Sequence, residues 1–381
     1  MANWTVPQVS RGEVNRAGEW LAAPLLNGGW AALFLTTEEQ AEKRRAILRI
    51  INNWRSSHSY PLHLAKKNLQ TRAKRISDSA ICAQRLKRLS SINVKLRRNQ
   101  HMKLSQMQDI GGCRAIMPNI KSMFDLVDVF ETAIAKNPPR KGRNMPITRS
   151  GFELAERYDY ILNPKPDGYR GYHYVFKYQS IYAEKKPYNG LRIELQLRSI
   201  YQHYWATAVE AVSIFTEQAL KTGLGRPEWK RFFALMSSAI ATRENAPIVP
   251  DTPTDPGQLV QEIRRLFHEL QVEMVLRGIT LSIQMRDEYG AEMFLLTLNA
   301  KTGRLDVVGY KPEELAKASE DYLEVEERFV NDPTVQAVLV SVDSLNDLEN
   351  AYPNYYLDTA EFLNLTNRII SEDPYSVAPL L

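Results

Sequence analysis

The chain holds only two cysteines in 381 residues, Cys82 and Cys113. Two thiols can form neither a disulfide framework nor a zinc quartet, which excludes a small cross-linked scaffold and a cysteine-held zinc finger. No run of eighteen apolar residues occurs, which excludes a membrane-spanning helix. A basic-then-apolar leader is also missing from the start of the sequence, so we expect a protein of the reducing cytoplasm. Internal repeats and low-complexity tracts are absent. The remaining scarcity is of negative charge, and it is confined to one half. Residues 1–200 carry 34 Lys/Arg against 16 Asp/Glu, net +18, and residues 201–381 carry 15 against 28, net −13. From Lys43 to Arg114 there are 18 basic residues and two acidic ones, Asp78 and Asp109. Such a block speeds encounter with a polyanion and points to nucleic acid; a solvated helical face is the plainer alternative.

What is present reads as two regions. Residues from Thr37 to about Ser91 have apolar positions at helical spacing, Ile47, Ile50, Ile51 and Trp54 among them. Cys113–Met117 reads as a buried strand and Ile120–Lys136 as an amphipathic helix. Arg157–Leu162, Tyr172–Tyr178 and Arg192–Arg198 alternate as strands, and Ile200–Thr216 and Pro227–Arg243 read as helices. The succession predicts an α/β (α+β) fold with a mixed sheet flanked by helices. Four prolines in APIVPDTPTDPG mark a linker over residues 246–257. We therefore expect domains at 1–245 and 258–381. The second should be a small α+β module: a helix over Gln258–Arg277, a meander of Thr280–Met285, Glu292–Leu298 and Arg304–Val308, a helix over Pro312–Phe329, a Val-rich strand at Val335–Val342, and a last helix from about Asp358.

The densest segment is YDYILNPKPDGYRGYHYVFKY, Tyr158–Tyr178. Pro-Lys-Pro-Asp-Gly cannot continue a strand or a helix, so the chain turns there and gathers Lys165, Tyr169, Arg170 and His173. Cations hold phosphate and a ring stacks on a base, so the loop suits a phosphorylated nucleotide. A tyrosine-rich hairpin with surface charges is the alternative reading.

With QDIGGCRAIMP (Gln108–Pro118) before it and RIELQLRSIYQHYWATAVE (Arg192–Glu210) after it, this segment resembles the synthetase domain of RelA/SpoT-type enzymes, a nucleotidyltransferase-like fold. The resemblance covers roughly residues 60–215. It implies that Asp109 and Glu194 ligate Mg²⁺, that ATP donates pyrophosphate from its β-phosphorus, and that AMP leaves. It further implies Lys165 and Arg198 on phosphates, Tyr169 with Arg170 and Gln196 on the acceptor, and His173 beside the reacting groups. Arg114 completes the first motif. Asp167 stands where the family often has Asn. For the ATP side the family's Arg-x-Lys segment has two matches here, Arg72 with Lys74 and Arg85 with Lys87.

The acceptor implied by most of the family is GDP or GTP. A toxic branch of the small alarmone synthetases modifies the 3′ end of tRNA and so arrests translation, and the long basic half favours tRNA. The C-terminal region is similar to the zinc-finger-like antitoxin domain of the fused toxin–antitoxin family called CapRel, without cysteines to bind zinc. Tyr352 and Tyr355 supply the Tyr-x-x-Tyr motif which in that family occludes the nucleotide site. The resemblance thus implies a cis-inhibited toxin released by a phage major capsid protein, an anti-phage device. Val335–Val342 is either its sensing surface or a core strand.

Overall fold

The computed structural model describes residues 4–23, 38–136, 151–220, 227–299, 302, 304–329, 332, 335–341 and 355–375. Two compact units emerge, one of Met1–Asp159 with Gly171–Ser199, the other of Tyr160–Arg170 with Ile200–Leu381.

The first unit is built on a five-stranded mixed sheet in the order β1-β2-β5-β4-β3. Its strands are β1 (Ile81–Leu86), β2 (Gly111–Met117), β3 (Phe152–Asp159), β4 (Tyr172–Tyr178) and β5 (Arg192–Ser199). β2 and β5 run parallel, and the other neighbours are antiparallel. Along β5 the apolar residues Ile193, Leu195 and Leu197 are buried and alternate with Arg192, Glu194, Gln196 and Arg198. That period of two gives the sheet an apolar face and a polar face. Helices α3 (Ser59–Ile76) and α5 (Ile120–Ala135) pack on the sheet. They meet its apolar face: Ala65 of α3 and Phe130 of α5 border one groove together with Phe176 and Leu195. In α5 the apolar residues Met123, Leu126, Val127, Phe130 and Ile134 are buried at helical spacing. Its start is fixed by a capping box, Asn119 with Ser122. Helices α1 (Arg11–Ala22), α2 (Glu38–Ser57) and α4 (Leu89–Arg98) complete the unit.

Two elements here escape periodicity. Helix α1 has a Ser10/Glu13 capping box that marks it plainly once sought. Strand β1 lies within the stretch read as helical. It is an edge strand with Ile81, Arg85 and Gln84 partly or fully exposed, so no alternation betrays it.

In the second unit α6 (Ile200–Leu220), α7 (Pro227–Arg243), α8 (Pro256–Glu269), α9 (Val272–Tyr289) and α11 (Tyr355–Ser371) share one core with β6 (Met293–Asn299). Phe232, Ile263, Phe294, Phe362 and Ile369 are fully buried in it. Strand β6 is the centre of a three-stranded antiparallel sheet, flanked by β7 (Arg304–Tyr310) and β8 (Val335–Ser341). Helix α10 (Leu315–Arg328) packs on that sheet. Ala337 of β8 is buried there with Leu295 and Tyr310, as the core-strand reading expects of that position.

Two sequence expectations meet a different structure here. Thr280–Met285 lies within α9 and is not a strand. Leu281, Ile283 and Met285 alternate, but Val272, Val275 and Leu276 just upstream are buried at helical spacing and carry the helix onward. Gly278 lets α9 lie against the hairpin, since a Cβ there would come 2.7 Å from Leu296 Cδ2. The chain also divides elsewhere than at the proline-rich segment, which is packed into the second unit. Val249 is 1 % exposed and its N–H donates to Ser238 Oγ at 2.9 Å, and Arg231 donates to the Asp251 carbonyl at 2.6 Å. Prolines mark an irregular backbone, and that irregularity is compatible with burial when side chains satisfy it.

Candidate active site

Asp109 lies two residues before β2, and Glu194 is the third residue of β5, opposite Gly112 in the parallel register. Lys87, just after β1, donates to Asp109 Oδ2 at 2.9 Å. Lys95 of α4 donates to Oδ1 at 3.0 Å. Burial alone would raise the Asp109 pKa, but the two ammonium groups outweigh it and hold the carboxyl below its ordinary range. Glu194 behaves alike. Burial pushes it up, His173 and Gln196 pull it down, the Asp109 charge pushes it up again, and the net is downward. Both groups are therefore ionised at neutral pH and within electrostatic reach of each other.

A chain of polar contacts extends from Glu194 across the polar face. His173 Nδ1 meets Glu194 Oε1 at 3.0 Å, so with the carboxylate ionised Nδ1 carries the proton. Gln196 donates to Glu194 Oε2 at 2.8 Å and accepts from Arg198 Nη2 at 3.3 Å. His173 and Arg114 both lie opposite Gln196 in register, on β4 and β2. On β1, Arg85 lies opposite Gly112 and so shares the row of Glu194.

The structure thus brings together Asp109, Glu194, His173, Gln196, Arg198, Arg85 and Lys87. It adds Lys95, which the sequence showed only as part of a basic run; its place eight residues after Lys87, on the helix following β1, was the available signal. Arg72 and Lys74 lie apart from this group. Arg72 stacks on Phe130 at 4.9 Å, donates to Val129 O, and borders the groove with Phe176 and Leu195 on the apolar face. Lys74 is bound to the Asp78 carbonyl.

Lys165, Asp167, Tyr169 and Arg170 belong to the second unit. Lys165 Nζ sits over the Tyr160 ring at 4.2 Å and the Tyr169 ring at 5.1 Å. Asp167 Oδ1 accepts from the Tyr169 N–H at 3.0 Å and tightens the turn. Gly168 has φ +91°, and a Cβ there would come 2.9 Å from Trp205 and 3.1 Å from Phe233 O, so the turn needs glycine. Arg170 is 3 % exposed and pairs with Glu244 at 3.2 Å, an oxygen to which Gln202 also donates. Its role here is to anchor the loop. Tyr352 falls outside the described residues; Tyr355 opens α11, but its side chain falls outside them too.

The donor set suits Mg²⁺. That ion takes oxygen ligands and is commonly held by one or two carboxylates, with waters and substrate phosphates completing the octahedron. Among the described residues no group of three His, Cys, Asp or Glu side chains converges, so the chain forms no closed cage there. Asp109 and Glu194 would hold a cation shared with a phosphorylated substrate. Among the described residues no helix is long and apolar enough to cross a membrane.

Residues 84–219 match the family model described as the region found in RelA / SpoT proteins. The GTP pyrophosphokinase YjbM of Bacillus subtilis (strain 168) is 31 % identical over 128 residues, covering 32 % of this chain and 51 % of that protein. The chain thus spans about half the length of the curated relative it matches. Among solved structures, small alarmone synthetase 1 from Bacillus subtilis bound to its product pppGpp is 24 % identical, covering 48 % of this chain and 88 % of that one, with a TM-score of 0.36. A GTP pyrophosphokinase family protein from Streptococcus pneumoniae is 21 % identical over 48 % and 83 %, also with a TM-score of 0.36. Every side chain of the carboxylate site, from Arg85 to Arg198, falls within the segment that matches the RelA/SpoT region.

Proposed function

We propose that this protein is an ATP pyrophosphokinase whose acceptor is the 3′ end of tRNA. The observation that carries the reading is the pair of ionised carboxylates, Asp109 and Glu194, set among Lys87, Lys95, Arg85 and Arg198 inside the matched segment. Pyrophosphate transfer from ATP needs positioned cations for the phosphates and carboxylates for Mg²⁺. The acceptor hydroxyl oxygen bonds to the β-phosphorus, the bond from that phosphorus to the α–β bridging oxygen breaks, and AMP leaves with the electron pair. The hydroxyl proton passes to water or phosphate. Bound Mg²⁺ would neutralise phosphate charge. Glu194 is kept ionised and in one orientation by His173 Nδ1–H and Gln196 Nε2–H, and Lys87 and Lys95 keep Asp109 so.

The tRNA acceptor is supported by the basic half, net +18 over residues 1–200, since a free nucleotide needs no extended cationic surface. A second reading, with GDP or GTP as acceptor and a (p)ppGpp alarmone as product, is favoured by the name of the matched relative, a GTP pyrophosphokinase. The regulatory part of the reading is inhibition in cis by the Tyr352/Tyr355 segment, relieved by a phage major capsid protein in abortive infection. It is supported by the sequence resemblance and by the opposite charges of the two halves.

The test is transfer from γ-labelled ATP with tRNA, GDP and GTP offered side by side, using the full chain and its Tyr355→Ala variant. A truncation near residue 247 would expose the core shared by α6, α7 and α11, so a point variant is the sound comparison. Label on tRNA, stronger in Tyr355→Ala, is the expected result. Label on guanine nucleotides alone would overturn the acceptor, and equal transfer by both forms would overturn the latch.

A further inference from the structure

A cavity of about 620 Å³ in the first unit is lined by Arg11 and Asn15 of α1, Lys103, Ser105 and Gln106 before β2, and Lys177 and Arg192 of the sheet, with Gln179, Asn189 and Gly190. Four of its side chains are cationic and none is a carboxylate. Two cations are held by backbone at its wall: Arg192 donates to the Gln106 carbonyl at 2.6 Å and Arg11 to the Gly190 carbonyl at 3.4 Å. Gly190, at φ +82°, admits the Arg11 guanidinium where a Cβ would collide with it. Lys103 and Lys177 have no carboxylate partner among the described residues. A nearby acid, Glu156, is bound to Tyr158 and Gln108, and the charges of Arg192 and Lys177 help to lower its pKa.

Lys177 and Arg192 are paired across β4 and β5, two register positions from the Val175–Glu194 pair and on the same polar face. Two residues along a strand span roughly 7 Å, which is about the length of one nucleotide step. Glu153 lies opposite Lys177 in the β3–β4 register and accepts from Gln179 at 3.3 Å, so acids stand beside the cavity but none is among its lining side chains. The four lining cations still repel one another, and a phosphate group relieves that repulsion while accepting their hydrogen bonds.

We propose that this cavity is a phosphate-binding subsite, one nucleotide step from Glu194, that grips the phosphate neighbouring the acceptor hydroxyl. Its place in catalysis rests on the pyrophosphokinase reading; its affinity for phosphate does not. The phosphate belongs either to an RNA backbone or to the 5′ end of a free nucleotide.

The experiment measures binding by the full chain without ATP or Mg²⁺. The probes are a fluorescein-labelled single-stranded RNA, GTP and inorganic tripolyphosphate, at several salt concentrations. The variants are Lys103→Gln/Lys177→Gln and, as a charge-matched control outside the cavity, Lys121→Gln/Lys186→Gln. Removing two phosphate contacts lowers the slope of log affinity against log salt by about 1.4–1.8. We expect that loss, with at least tenfold weaker tripolyphosphate and RNA binding, in the cavity variant and not in the control. Loss of tripolyphosphate and GTP binding with RNA binding intact supports the subsite and assigns it to free nucleotides. Unchanged binding of all three probes, or equal weakening in the control, overturns it. If neither wild type nor Tyr355→Ala transfers label to any acceptor and the cavity-specific loss still appears, the pyrophosphokinase reading fails and the subsite stands.

Discussion

The two units fix their polar residues in different ways. In the first, the groups that could act on phosphate are neighbours on paired strands. Glu194, Gln196 and Arg198 alternate along β5, with His173 opposite Gln196 on β4 and Gly112 opposite Glu194 on β2. In the second, the loop of Lys165, Tyr169 and Arg170 is held by residues far along the chain, with Arg170 on Glu244 and Gly168 against Trp205 and Phe233. The same core that seats Trp205 also contains Phe362 of α11. Strand register therefore places the carboxylate row of the first unit, and long-range packing holds the loop of the second. Chemistry should be lost from the first by changes that leave it folded. The second should lose its fold first.

The largest expected effect tests the first half of that contrast. Asp109→Asn keeps the size of the side chain but removes the charge that Lys87 and Lys95 surround. Removing one preorganised charged group from a phosphoryl-transfer site costs on the order of 10²–10³-fold in rate. Label transfer from ATP should fall by that factor, and Glu194→Gln should do the same. Circular dichroism should be unchanged, and urea unfolding should lose only the modest stability that the lowered carboxyl pKa reports, far less than the loss in rate. A loss of activity matched by a collapse of stability would show that the pair is a structural brace, and the contrast would fail.

The second half is tested by Arg170→Met. The Arg170 and Glu244 side chains are 2 % and 1 % exposed, so the substitution leaves a buried carboxylate without its cation. Breaking such a pair costs about 3–5 kcal/mol, whereas replacing both partners by apolar residues often costs little. Urea unfolding followed by tryptophan fluorescence should show the loss, since Trp205 and Trp229 lie in this core. Adding Glu244→Leu should recover most of it. An unchanged midpoint for Arg170→Met would mean that the loop is not anchored there.

The same contrast explains what the sequence disclosed. The carboxylate row was legible because strand alternation and three motifs lie within residues 108–198, where spacing maps directly onto register. The helices α5, α6 and α7 were legible for the same reason. Lys95 was not, because its meeting with Asp109 depends on how α4 folds back after an edge strand that has no alternation. Arg170 read as a ligand because an arginine beside a tyrosine in a loop looks like one. Its partner Glu244 is 74 residues away, and nothing local announces it. The proline-rich segment misled in the same way, since burial of Val249 and Thr252 comes from α7 and not from their own neighbours.

The smallest effect sharpens the contrast inside the first unit, behind its sheet. His58 is 1 % exposed, its Nδ1–H donates to the Trp54 carbonyl at 2.7 Å, and its ring meets Trp54 edge-on. Burial lowers its pKa from 6.5 to about 4, against a smaller opposing pull from that carbonyl. Between those values the unfolded chain binds a proton that the folded chain refuses. Stability is therefore full above pH 6.5, falls as the pH drops toward 4, and levels off below; the total is on the order of 3 kcal/mol. Asp109 and Glu194, whose pKa values are lowered from 3.8 and 4.5, act in a separate window. Their contribution is complete above those ordinary values and is lost only as the pH falls through the lower folded ones. Urea unfolding from pH 7 to 4.5 should thus slope downward in wild type and flatten in His58→Asn, which cannot titrate. A variant that keeps the full slope would show that His58 is not the group that makes this unit acid-sensitive between pH 7 and 4.5.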